Sequence, residues 1–282
     1  MNRLSLAQAL MQAQAHGLER LDAQLLMLHA LGKPGHDRAW LLAHDKDEIP
    51  ARAQATLEAL VQRRISGEPL AYITGHKEFF GLDLMVDQRV LVPRPDTETL
   101  VEWTLELLPP AKLASEPVHV LDLGTGSGAI ALALKANRAE LQVSAIDASD
   151  GALAVARENA RRLRLDVNFQ QGWWLDGVAG RFHAIVTNPP YIAAQDPHLK
   201  ALRHEPAQAL TAGTDGLDDI RHIIGQARAH LQATGWLLLE HGYDQAAQVR
   251  QLLLDAGFVN VQTRRDLSGI ERCSGGANSA DR

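Results

Sequence analysis

The spacing of apolar residues divides the chain into three stretches of different period. In the first, apolar positions recur every three or four residues, as on one face of a helix. Leu6, Ala9, Leu10 and Ala13 follow Ser5, and Ser5 with Gln8 has the spacing of a capping box. Leu21, Leu25 and Leu28 make a second stripe that stops at Gly32 and Pro34; Pro50 opens a third helix carrying Leu57, Leu60, Val61 and Ile65, ending near Gly67. Four or five short helices that bury one another are expected over residues 1–70. Charges are mixed along their faces, which suits a solvated bundle as well as a partner-recognition module.

Residues 71–92 change character. Tyr72-Ile73-Thr74, Phe79-Phe80-Gly81, Leu84-Met85-Val86 and Val90-Leu91-Val92 are β-prone pieces broken by glycine and charged residues, and read as a β-hairpin connector. Pro93-Arg94-Pro95-Asp96-Thr97-Glu98 follows: its prolines fix extended backbone, and Asp96 or Thr97 caps a helix running to about Leu108.

From Val118 onward strands and helices alternate, so residues 93–282 predict an α/β domain, a mostly parallel seven-stranded sheet with helices on both faces. Strands are expected at Val118–Leu123, Val143–Asp147, Val167–Phe169, Ala184–Thr187, Trp236–Glu240 and Val259–Arg264, with a weak last one near Arg272. Helices are expected at Ala129–Asn137, from a Ser149 cap to about Arg162, and from Asp218 to about Ala233.

Composition narrows the class. A chain of 282 residues with 46% hydrophobic and 22% charged residues and a mean hydropathy of −0.15 is long enough for two domains and has an ordinary globular balance. No apolar stretch reaches the roughly 18 residues of a membrane span, and the N-terminal residues lack a signal-peptide core, so no membrane role and a cytoplasmic location are expected. One cysteine, Cys273, excludes an internal disulfide and a multi-cysteine metal site, and none of the 12 histidines has metal-ligand spacing. A net charge of −6 disfavours a phosphate-tracking surface, so no direct nucleic-acid partner is expected.

Two motifs carry chemistry. Asn188-Pro189-Pro190-Tyr191 follows the short β-branched run that ends at Thr187, so it is delivered at a strand's carboxyl end. The Asn188 side-chain oxygen and the Pro189 carbonyl, on backbone stiffened by Pro190, are fixed acceptors suited to a planar NH2 group; Tyr191 adds an aromatic face. A Pro-Pro turn with Asn188 as an ordinary turn residue is the alternative. Upstream, Asp122-Leu123-Gly124-Thr125-Gly126-Ser127-Gly128 joins a strand to a helix, where glycines admit a ligand close to the backbone and helix amides are free. Asp147, nineteen residues beyond Gly128, ends the next strand and is placed to accept from a ribose diol. Asp122 suits a ligand with a cationic amino-acid end and is awkward beside a pyrophosphate, which points to S-adenosylmethionine, with S-adenosylhomocysteine as product.

With these residues the chain resembles the Rossmann-type methyltransferases that act on planar nitrogen. Pro93 to Glu98, the helical N-terminal unit, Asp196-Pro197-His198-Leu199, Glu205-Pro206 and Glu240-His241-Gly242 narrow the resemblance to the release factor glutamine methyltransferase family. That resemblance covers nearly the whole chain. It implies a class I methyltransferase domain behind a small all-helical domain, and N5-methylation of the glutamine in the Gly-Gly-Gln motif of class-I peptide chain release factors. The helical domain would help dock the factor. An N6-adenine nucleic-acid methyltransferase, which shares the tetrapeptide, is the alternative. Phe80 is a candidate neighbour of the substrate glutamine, with a core aromatic as the other reading; Arg94, Thr97 and Glu98 are candidates to border the cofactor.

Two stretches depart from the family pattern. Gly172-Trp173-Trp174 stands where an acidic residue usually precedes an aromatic near the adenine, so stacking by Trp173 or Trp174 is expected to compensate. Cys273-Ser274-Gly275-Gly276 does not resemble a good last strand, so a frayed or unpaired C-terminal end is expected.

Overall fold

The structure is a computed structural model that describes residues 4–110 and 116–279. The chain divides into two compact units, Met1–His76 and Lys77–Arg282.

The smaller unit holds helices α1 (Leu6–Ala15), α2 (Arg20–Ala30), α3 (Arg38–Ala43), α4 (Ala51–Ile65) and α5 (Leu70–Thr74). The capping box forms at the start of α1: Gln8 N donates to Ser5 Oγ at 3.2 Å, and Ser5 N donates to Gln8 Oε1 at 2.9 Å. The core of the unit is built from Leu6, Ala9 and Ala13 with Ala23, Leu26, Met27, Leu28, Leu57, Leu60, Val61 and Ile73. The α2 stripe is therefore rotated from the expected one. Ala23, Leu26 and Met27 lie at helical spacing and face inward, leaving Leu21 47% exposed; Ile65, at the last position of α4, is 46% exposed.

Tyr72-Ile73-Thr74 is helical, not β. Pro69 precedes a single helical stretch, Thr74 Oγ1 donates to Leu70 O at 3.0 Å, and Gly75 ends the helix at φ +79. So short a β-prone run is overridden once Ile73 can fill the bundle core.

Next comes the hairpin of β1 (His76–Phe79) and β2 (Leu82–Met85), joined by Phe80 and Gly81 at φ 50 and 78, the two positive angles of a type I′ turn. Val90-Leu91-Val92 forms no strand. Its amide hydrogen bonding is diverted to a side chain: Val92 N donates to Glu205 Oε2 at 3.1 Å, and Arg94 binds the other oxygen of that carboxylate at 2.5 Å. Pro95–Thr97 is a 3₁₀ turn leading into α6 (Glu98–Leu107).

Then follow β3 (His119–Leu123), α7 (Ala129–Asn137), β4 (Gln142–Asp147), α8 (Asp150–Leu163), β5 (Asn168–Gln171), β6 (Phe182–Thr187), α9 (Asp218–Ala227), β7 (Leu231–Glu240), α10 (Ala246–Asp255), β8 (Val259–Arg265) and β9 (Glu271–Ala277). The sheet order is β5-β4-β3-β6-β7-β9-β8, parallel from β5 to β7, with β9 antiparallel to both neighbours. Alternate strand residues build separate layers. Val120, Ala184, Val186 and Leu238 pack with α6 and α7, whereas Leu121, Leu123, Ile185, Leu237 and Leu239 pack with α9 and α10. Among the described residues no helix is long and apolar enough to cross a membrane.

Two expectations for the C-terminal half are corrected. The helix from Asp218 stops at Ala227, and Leu231 already pairs with Phe182 in the sheet, because its fully buried side chain is needed in the core. The C-terminal segment is not frayed: β9 lies inside the sheet, Trp236 to Glu240 pairing with Ala277 to Cys273 on one side and β8 on the other. Its glycines are required there, since a Cβ on Gly275 would lie 2.4 Å from Leu238 Cδ2 and 2.6 Å from Leu237 O. Helix α10 was not anticipated; Ala246, Val249 and Leu253 form its buried face.

Candidate active site

Strand order fixes where a ligand can enter. From β3 the chain runs outward through β4 and β5, then returns to place β6 on the other side of β3, so the order reverses between β3 and β6. A crevice opens at the carboxyl ends of strands at such a reversal. Leu123 pairs with Thr187, whose Oγ1 donates to Leu123 O at 2.8 Å, so Gly124 and Asn188 leave the sheet side by side. A cleft of about 490 Å³ lies there, lined among others by Gly124, Gly126, Asp147, Trp173, Trp174, Asn188 and Pro190.

The glycine loop is shaped by its backbone angles and by what lies beneath it. Gly124, Gly126 and Gly128 have φ of 67, 56 and 84, and a Cβ on Gly124 would come 3.1 Å from the Trp174 ring. Asp147 holds the loop to β4: its Oδ2 accepts from Gly126 N at 2.8 Å and its Oδ1 from Ser149 N at 2.9 Å. Each oxygen keeps a lone pair for a ligand hydroxyl. Burial raises the Asp147 carboxyl above its usual range, opposed by those two amides.

Asp122 lies under the loop and is not among the cleft-lining residues. Its Oδ2 accepts from Thr125 Oγ1 at 2.6 Å and Ala131 N at 3.2 Å, while Oδ1 is buried without a partner among the described residues. Desolvation pushes this carboxyl up to about 7, with the Thr125 and Ala131 hydrogen bonds opposing the rise.

Asn188 is oriented by a residue from the Pro93–Glu98 segment. Its Nδ2 donates to Thr97 Oγ1 at 3.2 Å, which leaves Oδ1 as the acceptor available to a ligand. Tyr191 packs against the α9-side core and its hydroxyl donates to Glu240 Oε1 at 3.1 Å. Neither Tyr191 nor Pro189 lines the cleft. Burial and the Glu240 charge raise the Tyr191 phenol above its ordinary value. Gln245 holds the same residue from behind, donating to Tyr191 O at 3.0 Å and accepting from Gly242 N at 2.8 Å.

The two tryptophans divide their roles. Trp173 is 54% exposed on the cleft; Trp174 is buried, at φ 49, with Nε1 donating to Asp219 Oδ1 at 3.0 Å. Phe80 is not on the cleft: it occupies the hairpin turn, packs on the core, and its amide donates to Glu98 Oε1 at 3.0 Å. Glu98 thus serves the hairpin, Arg94 serves Glu205, and only Thr97 of that segment reaches the tetrapeptide. His241 is buried, bonded to Gly242 O and Ser274 Oγ, and held below its usual pKa by desolvation.

Sequence reasoning missed the wall formed by Arg89, Val90 and Leu91 and the Asp219 carboxyl, all of which line the cleft. Asp219 carries a weak local signal, an acidic residue in the first turn of α9. The role of Gln245 has no local signal.

A doubly wound sheet whose strand-order reversal brings a glycine loop beside Asn-Pro-Pro-Tyr defines a class I methyltransferase. Residues 104–216 match the methyltransferase small domain and residues 4–75 the PrmC N-terminal domain. The chain belongs to the release factor glutamine methyltransferase family. It is 50% identical to that enzyme of Pseudomonas aeruginosa over 90% of both chains, 47% identical to that of Coxiella burnetii over 90% of both, and 43% identical to that of Escherichia coli over 95% of both. Among solved structures, a methyltransferase from Pyrococcus furiosus matches with a TM-score of 0.51 at 19% identity, covering 77% of this chain and 97% of that one. The likeness is one of fold.

Proposed function

We propose that the cleft binds S-adenosylmethionine and that the tetrapeptide presents the glutamine side-chain amide of a release factor's Gly-Gly-Gln motif for methylation at N5. The observation that carries this reading is the Asn188–Thr97 hydrogen bond, which commits the Asn188 NH2 to the protein and leaves Oδ1 as an acceptor in the cleft. An amide NH2 carries two protons; Asn188 Oδ1 is one acceptor at the cleft, and the carbonyl of Pro189, beside the cleft though not lining it, would be the second.

The residues present fit the cofactor. Bare backbone at Gly124 and Gly126 accepts a close ligand, Asp147 retains lone pairs for a ribose diol, and Trp173 offers a ring face to a base. A cationic amino-acid end above the loop would draw the Asp122 carboxyl back toward its ionised form. When bound, the cofactor supplies a methyl group on a sulfonium centre, reactive enough for a poor nucleophile.

The chain's own residues do the rest. An amide nitrogen's lone pair is delocalised, so alignment matters, and holding two reactants in attack geometry contributes ~7 kcal/mol or more. As the nitrogen–carbon bond forms, positive charge grows on nitrogen, two preoriented carbonyl dipoles favour it without rearranging, and the nitrogen then gives up one of its two protons to solvent. Activity is tested by incubating the protein with methyl-labelled S-adenosylmethionine and either a release factor or nucleic acid, then locating the label by peptide mass spectrometry. One methyl on the Gly-Gly-Gln glutamine is the expected result. Label in nucleic acid alone overturns the reading in favour of an adenine methyltransferase.

A further inference from the structure

The Pro189 carbonyl, the second acceptor of the proposed reading, belongs to the peptide group between two prolines, neither of which has an N–H. That group offers no donor by which the protein can hold it, so its direction is set by whatever holds the residues on either side. On the Asn188 side the sheet does this: Thr187 pairs with Leu123 and with Leu239, and Thr97 takes the Asn188 NH2. On the other side the task falls to Tyr191.

The peptide group joining Tyr191 to Ile192 is pinned at both ends. Ile192 N donates to Leu210 O at 2.9 Å, and Tyr191 O accepts from Gln245 Nε2 at 3.0 Å. The same Nε2 donates to Asp215 O at 3.2 Å, and Gln245 Oε1 accepts from Gly242 N at 2.8 Å. These partners fix the orientation of the Gln245 amide. Turned over, it would set its oxygen against two carbonyls and its NH2 against an N–H. Gln245 is 7% exposed and stands at the start of α10, where its N donates to Gly242 O at 3.1 Å and its carbonyl accepts from Val249 N at 3.0 Å, so the donor is carried on a rigid element. Gly216 leaves room for the contact: its φ is 75, and a Cβ there would overlap Tyr191 O and lie 2.9 Å from Gln245 Nε2.

We propose that Gln245 is a positioning residue for methyl transfer: by holding the Tyr191 carbonyl it fixes the carboxyl end of the tetrapeptide and so aims the Pro189 carbonyl at the second proton of the substrate amide. Gln245 is not among the cleft-lining residues, so it acts through Tyr191 and its loss leaves the cofactor and substrate contacts in place. Without its donor the Tyr191–Ile192 group is free to turn about the one remaining hydrogen bond, Pro190 follows, and the Pro189 carbonyl leaves the line of the substrate N–H. The transfer slows because alignment supplies much of the lowering of its barrier.

This inference rests on the proposed reading of the site, and wild-type methylation of a release factor decides that reading first. The further test measures kcat, the KM for the release factor, the dissociation constant of S-adenosylhomocysteine by calorimetry and the melting temperature for the wild type, Gln245→Met and Gln245→Glu. Turnover is read well below each melting temperature, where the protein is fully folded. Methionine fills the same space without a donor; glutamate keeps the acceptor for Gly242 N but turns an oxygen toward Tyr191 O and Asp215 O. The expected result is a kcat lowered at least about tenfold in both variants, with KM and product affinity within about threefold of wild type. A role in stability alone gives the other split, a lower melting temperature with wild-type kcat in the cold, and that result in either variant overturns the proposal. A KM or dissociation constant that worsens as much as kcat falls also overturns it, by placing Gln245 in binding. If neither variant folds, Gln245 is a structural residue and the proposal fails.

Discussion

Replacing Asn188 with alanine removes one acceptor from the proposed site and little else. Among the described residues the side chain makes one hydrogen bond, from Nδ2 to Thr97 Oγ1 at 3.2 Å, so the folded state loses about 1 kcal/mol. The elements proposed to hold the cofactor, the 124–128 loop and Asp147, are held by their own hydrogen bonds and stay in place. What is lost is an acceptor whose orientation is set before the substrate arrives. Removing one preoriented polar group that meets developing charge costs about 2.7–4 kcal/mol of transition-state stabilisation, or roughly 100- to 1000-fold in rate. Asn188→Ala is therefore expected to lower the single-turnover methylation rate at least ~100-fold, while calorimetric affinity for S-adenosylhomocysteine changes less than about threefold. Rapid-quench measurement with saturating cofactor separates the two quantities. Near-normal single-turnover methylation would refute the acceptor argument; an equal collapse of cofactor affinity would show that Asn188 serves binding instead.

Other outcomes follow from the same geometry. Gly275→Ala forces a Cβ to 2.4 Å from Leu238 Cδ2 and 2.6 Å from a backbone carbonyl. Overpacking of that kind costs about 2–3 kcal/mol, so a melting temperature lower by about 5–10 °C is expected, and an unchanged one would contradict β9's place inside the sheet. Trp173→Ala removes an exposed ring from the cleft wall and is expected to weaken S-adenosylhomocysteine binding by about 5- to 30-fold, as loss of a base–aromatic stack does, without lowering thermal stability; unaltered affinity would place Trp173 outside the base contact. Asp122, raised to about 7 by burial, binds its proton more tightly folded than unfolded, so its contribution is intact below the unfolded pKa and is lost as pH rises through about 7. Denaturant titrations of the cofactor-free protein should show stability declining from about pH 4 to 7, with a limiting slope of about 1.4 kcal/mol per pH unit for each such group. The decline should be shallower in Asp122→Asn, and equal slopes would refute it.

The sequence alone determined the α/β alternation, the helical unit before it and the two motifs. These are local properties: short apolar runs bounded by glycine, a serine–glutamine capping pair, and a glycine loop between strand and helix. Asn188 and Gly124 could be placed beside one crevice from sequence because each directly follows a strand, and strands in a parallel sheet present their carboxyl ends to one side. Phe80, equally apolar and equally near a glycine, was not separable from a substrate contact by sequence; its place in the hairpin turn depends on the register of β1 against β2 and on Glu98, eighteen residues away.

Only the tertiary structure decided which polar groups face one another. Thr97 meets Asn188 across 91 residues, Tyr191 meets Glu240 across 49, and Glu205 binds the Val92 amide across 113. The same holds for β9, whose Cys-Ser-Gly-Gly reads as a poor strand until Leu238 and Phe258 are seen to need the space where its side chains would be. Local pattern records what a residue prefers by itself, whereas the orientation of an amide or the need for a missing Cβ is set by atoms that sequence distance separates and packing brings together.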